Sequence, residues 1–134
     1  VRLFVTDAPD GGWAELTEGD RPPVRIAAAD LQQARRLRAR VRADAEVAVT
    51  HDVILDVTVA VAIDFRSARD ILEVADGVRY AGTVDGLAGL IADIESAGVA
   101  DGVTLVPVSA GEDVRALGRD VLRRLELRGQ PRAS

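Results

Sequence analysis

Cysteine, methionine and lysine are all missing from this 134-residue chain. Without cysteine there can be no disulfide, no thiolate metal site and no cysteine nucleophile. Aromatic residues make up only 3% of the chain, leaving few rings on which a nucleobase could stack. No apolar run approaches the roughly 20 residues that span a bilayer. The N-terminus lacks a basic-then-apolar signal pattern, so no membrane association and a cytoplasmic protein are expected. All 17 strongly basic residues are arginine, which reads as a codon bias towards GC-rich triplets with some contribution to surface ion pairing. The net charge of −5 argues against nucleic acid as a partner, since that needs basic residues concentrated on one face. A chain that opens on Val1 and holds no methionine has either a rewritten start or an origin in something longer. Excision from a longer protein agrees better with the order of its strand-like and helix-like segments.

The residues that are present describe a globular domain. Hydrophobic residues account for 48% and charged residues for 29%, far from a disordered composition. The core must be aliphatic, built from Val, Ala, Leu and Ile, and the length suffices for one domain with a real core.

Along the chain, strand-like and helix-like patterns alternate. Val1–Val5 is a short strand, ended by Thr6-Asp-Ala-Pro-Asp-Gly-Gly12. Trp13 to Pro23 is polar and turn-like, an expected exposed loop. Val24–Ala27 is either a second short strand or the lead-in to a helix. Asp30 with Gln33 makes a capping-box pattern before an amphipathic helix with Leu31, Ala34, Leu37 and Val41 inward and five arginines on its other faces. Val53–Val61 is β-branched and nearly continuously apolar, as in a strand covered on both faces.

A further helix is expected from Asp64, with Ala68, Ile71, Leu72 and Ala75 inward. A short extended piece comes next at Val78–Ala81. Thr83 then caps a helix with Val84, Leu87, Ile91 and Ile94 inward, closed by Gly98. Val103–Val106 is a buried strand stopped by Pro107. Glu112 and Asp113 sit at the start of a last helix, where carboxylates suit its dipole. Val114, Leu117, Val121 and Leu125 face the core, and Gly129 and Pro131 end it. This order indicates βαβ units on a parallel sheet. The expected organisation is one α/β domain over 1–134: a strand and loop to residue 23, βα units over 24–129 and a tail over 130–134.

From residue 82 onward the features take a recognisable order. Ala81-Gly-Thr-Val-Asp85 opens a helix that ends Ala97-Gly-Val-Ala-Asp-Gly102. Val-Thr-Leu-Val-Pro107 comes after it, then a helix finishing Asp120-Val-Leu-Arg-Arg-Leu-Glu-Leu-Arg-Gly129. This resembles the C-terminal part of bacterial luciferase-like monooxygenases, including the alkanesulfonate and nitrilotriacetate monooxygenase branches. Ala28–Arg36 and Asp64–Glu73 look like helices of the same family, so the resemblance covers roughly residues 24 to 129. It implies a partial TIM-type βα barrel with mostly parallel strands and FMN or a deazaflavin at the carboxyl ends of the strands. The implied chemistry is oxygenation or hydride transfer, with the flavin supplying the difficult step. The N-terminal half, which lines most of the family's pocket, has no counterpart here, so a complete active site is not expected. An incomplete barrel leaves strand edges open. The expected partners are therefore a second copy or the missing half, or else residues 1–23 cover an edge.

No residue can be assigned a catalytic or cofactor-binding role from the sequence, and no metal-ligand spacing occurs. His51 could serve as an acid or base, but at a strand entrance it reads as a loop histidine. Gly82-Thr83 could offer N–H groups to an anion, though a helix cap is the simpler reading. Asp101-Gly102 reads as a tight turn. Thr6–Gly12 is the nearest thing to a phosphate loop, yet its two carboxylates would repel a phosphate. Asp56 and Thr58 share one strand face, as ligand contacts, or as a satisfied core pair or edge-strand marker, which is the preferred reading. Trp13 is either an anchor for a partner or missing domain, or a local hydrophobic plug. Two rivals stand beside the flavin reading: a non-catalytic α/β interaction domain or degenerate paralogue, and an unrelated small acidic enzyme.

Overall fold

The computed structural model describes residues 2–6, 12–43, 51–60, 77–107 and 113–129. The helix expected from Asp64 lies outside the described residues, as do Glu112 and Pro131.

Six strands and three helices are described. The strands are β1 (Arg2–Thr6), β2 (Trp13–Glu15), β3 (Pro23–Ile26), β4 (Asp52–Ala60), β5 (Arg79–Ala81) and β6 (Gly102–Pro107). The helices are α1 (Leu31–Ala43), α2 (Val84–Ser96) and α3 (Val114–Gly129). The sheet runs β2-β1-β6-β4-β3, with β5 also on β4. All pairs are parallel except β1–β2. The architecture is mixed α/β around a curled, half-barrel sheet of mostly parallel strands.

β4 is the longest strand, and its continuous Val-Ile-Leu run has a physical cause. It pairs with β6 along residues 54 to 59, while β3 and β5 share its other edge end to end. Its position is therefore interior, and the idea that Asp56 and Thr58 mark an edge strand is overturned. β1 lies parallel on the far side of β6, so Arg2–Thr6 covers that edge. In this order β5 lies on the β3 side of β4, not between β4 and β6 as strict succession around a barrel would place it.

The two faces of the sheet differ. Leu3, Val5, Leu55, Val57, Val59, Val103 and Leu105 point to one side, every one at most 1% exposed. They pack against Ala34 of α1, Leu87, Ala88, Ile91 and Ile94 of α2, and Val114, Leu117 and Val121 of α3. Burying each large aliphatic side chain contributes about 1.5–3 kcal/mol, so this helix-covered face supplies most of the driving force.

Local sequence fixes the helix ends. Asp30 Oδ1 accepts from Gln33 N–H at 2.7 Å, and Gln33 Oε1 accepts in return from Ala29 N–H at 2.6 Å, a reciprocal cap set one residue earlier than the usual box. Thr83 caps α2 by accepting from Gly86 N–H at 3.1 Å. Asp113 caps α3 by accepting from Ala116 N–H at 3.0 Å. α2 ends in a Schellman arrangement, with Val99 N–H donating to Ile94 and Gly98 N–H to Glu95. Gly98 takes φ +71° there, which favours glycine.

Two further expectations need correction. Trp13–Glu15 is a strand, antiparallel to β1, and Trp13 to Thr17 are half-buried. A three-residue Trp-Ala-Glu segment is too short to show a period of two, and its contacts come from residues far along the chain. Leu31, expected inward, is 37% exposed. It occupies the outermost turn of α1, and the helix is anchored one turn further on by Ala34 and Leu37.

Candidate functional site

The other face of the sheet is concave and mixed, with Ile54 and Val106 buried among its polar side chains, and it is the candidate site. Register places Glu15, Phe4, Thr104 and Asp56 in one row across β2, β1, β6 and β4. Thr6 and Trp13 form the neighbouring pair at the carboxyl end of β1. Phe4 and Trp13 stack with ring centroids 4.3 Å apart and planes 17° apart. The indole Nε1–H of Trp13 donates to Thr104 Oγ1 at 2.9 Å. Arg25, from β3 at the opposite end of the sheet, places its guanidinium 5.7 Å from the Trp13 ring centroid. Arg25 also pairs with Asp56 at 2.8 Å. On a flat sheet β2 and β3 would lie roughly 19 Å apart, four strand spacings. Trp13 reaches both β6 and β3 because the sheet curls around it. Of the two readings of Trp13, local packing is therefore what the structure displays.

The charged clusters gather at the amino ends of the parallel strands, away from the end where open parallel sheets carry their chemistry. Arg2 grips Glu15 through two bonds, Nε to Oε2 at 2.8 Å and Nη2 to Oε1 at 2.6 Å. Arg2 also reaches Asp52 at 3.3 Å and the Arg21 carbonyl, and its guanidinium lies 5.2 Å from the Phe4 ring centroid. The hydrogen bond from Arg2 is the main cause holding the Glu15 carboxyl below its usual range, against the opposing effect of burial, with the Thr17 hydroxyl adding to it. The same bond raises the Arg2 guanidinium above its ordinary value. Such a pair is firmly ionised and offers no proton to transfer.

Asp101 is the second hub. Burial alone would push its carboxyl up, but three donors outweigh that and hold it low. Val53 N–H donates at 2.8 Å, Arg38 Nη2 at 3.0 Å and Arg42 Nη2 at 2.7 Å. Asp101 thus ties α1 to the starts of β4 and β6. The tight-turn reading of Asp101-Gly102 missed this role. Arginines four apart on one helix facing an aspartate before a strand were the available signal, visible only once the fold brings 63 positions of sequence together.

The remaining candidates disperse. His51 precedes Asp52 at the amino end of β4, apart from the concave row. Thr83 caps its own helix, and the Tyr80 hydroxyl donates to the Thr83 carbonyl at 2.9 Å over the same turn. Asp56 is satisfied by Arg25, not by Thr58. Of the Thr6–Gly12 loop only its two ends are described. An open groove of about 580 Å³ lies beyond the end of β3, lined by Ala27, Ala28, Ala29, Gly77 and Arg79. Among the described residues no group of three or more His, Asp or Glu could hold a metal ion. No described helix is long and apolar enough to cross a membrane.

Two of the three described helix N-termini carry a carboxylate that would repel a flavin phosphate. Helix N-termini are the natural anion cradles of an α/β sheet. Here α1 and α3 are capped by the carboxylates of Asp30 and Asp113, and α2 by the Thr83 hydroxyl. No protein-family model matches the chain, and no curated protein does.

Proposed function

We propose that the chain is the C-terminal portion of a luciferase-like flavin-dependent oxidoreductase, a partial TIM-type barrel without a complete active site of its own. The reading is carried by one observation together with the resemblance over residues 24 to 129. That observation is the curled, half-barrel sheet, in which β6, β4, β3 and β5 all run parallel, although the β1–β6 pairing and the place of β5 depart from strict barrel succession. The concave face would then be the wall of the lumen, and the carboxyl ends of β1, β4 and β6 the rim facing the flavin. A flavin bound to the complete protein would supply the redox chemistry. This chain would contribute Phe4, Thr104 and the Arg25–Asp56 pair as a fixed wall, with the phosphate held by the other half. The outer edges of β2, β3 and β5 would take that half or a second copy.

Titrating the chain with FMN, by flavin fluorescence and by calorimetry, tests the reading. Weak binding or none is expected, and affinity of about 1 μM or tighter, roughly 8 kcal/mol, would contradict the assignment of the pocket to the missing half. A coding frame continuing some 200 residues upstream is the second expectation, since barrels of this kind run from about 250 residues to more than 400 with insertions.

A non-catalytic α/β interaction domain is favoured by one specific observation. The arginines and carboxylates described on the concave face, Arg2, Glu15, Arg25 and Asp56, are engaged in ion pairs with one another. A frame beginning at Val1, with no flavin binding, would support that reading instead.

A further inference from the structure

Thr104 is a polar side chain in the middle of an aliphatic strand and is fully buried, and the Trp13 indole N–H donates to its hydroxyl. A buried hydroxyl at this place needs a partner, because an unsatisfied one costs about 1–3 kcal/mol. The donor comes from a strand of three residues, β2, whose outer edge carries no neighbouring strand among the described residues. The indole also has a ring beneath it in Phe4 and a cation beside it in Arg25. Phe4 and Thr104 stand on the interior strands β1 and β6, and Arg25 is fixed by Asp56. The three contacts therefore come from strands other than β2, while Glu15 and Leu16 hold β2 itself on β1.

We propose that this frame is a binding seat for a planar nitrogen heteroaromatic with a ring N–H, and that Trp13 is its intramolecular occupant. Phe4 supplies the stacking wall. Arg25 supplies a cation for an electron-rich ring, and Thr104 Oγ1 accepts the N–H. A ligand of this class enters by displacing the Trp13 side chain at the first residue of β2, while Glu15 and Leu16 keep the rest of that segment on β1. The seat is defined by these three side chains alone and is independent of the flavin reading.

The chain has a single tryptophan, so its emission reports on the seat and nothing else. The intact chain is titrated with 1H-benzotriazole, a non-fluorescent bicyclic N–H heteroaromatic, with excitation at the red edge of the indole band. A saturable red shift of Trp13 emission is expected as the indole leaves for water. In parallel, Trp13→Ala is titrated with indole and followed by indole emission and by circular dichroism. Indole is expected to bind this variant, and to restore its dichroism should the vacated seat leave it partly unfolded. Adding Thr104→Val to Trp13→Ala removes the acceptor and should weaken indole binding about tenfold, the value of one hydrogen bond of about 1.4 kcal/mol. Absence of binding to Trp13→Ala, with no restored dichroism, overturns the seat. Binding to the variant without any red shift in the intact chain overturns it as well, and makes Trp13 a permanent plug over a vacated cavity only.

Discussion

The two faces of the one sheet are built from alternate residues of the same strands, yet they are held in different ways. On the helix-covered face, Leu55, Val57, Val103 and Leu105 are fully buried aliphatics packed against three amphipathic helices. On the concave face, Phe4, Trp13, Thr104, Arg25 and Asp56 make directional contacts across the curl. Area stabilises the first face, and geometry stabilises the second. Damage to the first should scale with volume removed, and damage to the second with the number of partners left unsatisfied.

The largest effect should come from Leu105→Ala, which opens a cavity beneath the helices. Chemical denaturation should show a loss of about 3–5 kcal/mol. Asp101→Ala comes next, because it strands the Val53 N–H and two arginines at the base of the sheet. A loss of about 3 kcal/mol is expected, with Asp101→Asn recovering part of it through the Val53 N–H.

Acidification should separate the ionic hubs from the aliphatic layer. Glu15 and Asp101 both titrate lower in the folded chain than when unfolded. On lowering the pH the unfolded chain takes up these protons first, so stability present above about pH 4.5 is lost as the pH falls through the folded values. Denaturation midpoints between pH 7 and pH 2 should show that decline, and Glu15→Gln with Asp101→Asn should flatten it. Thr104→Val should cost about 1 kcal/mol, since it keeps shape and removes one acceptor. Asp85→Ala, on an exposed pairing with Arg124 and Arg128, should change stability by less than about 0.5 kcal/mol.

The helix-covered face was legible in the sequence because it is written locally. Leu87, Ile91 and Ile94 recur at helical spacing, Gly98 stands just after them, and each of these expectations matches the structure. Val103 to Pro107 likewise declares a buried strand within five residues. The concave face was largely illegible because its information is spread along the chain. Phe4, Trp13, Arg25, Asp56 and Thr104 meet only through strand order, and hydrophobic periodicity says nothing about which strands are neighbours. The same reason hid β2, whose three residues hold no period, and the Asp101 hub, whose partners sit on α1. The placement of β5 beside β3 is also a matter of order alone, which local pattern cannot dictate.

The concave face exists only if the sheet curls far enough for side chains from its two ends to meet over β6. Nuclear Overhauser spectroscopy of the single indole Nε1–H tests this directly. Cross-peaks to the Thr104 methyl group, the Phe4 ring and the Arg25 side chain are expected together. An indole N–H that exchanges freely with water and shows none of the three would contradict the curl, and with it the concave face.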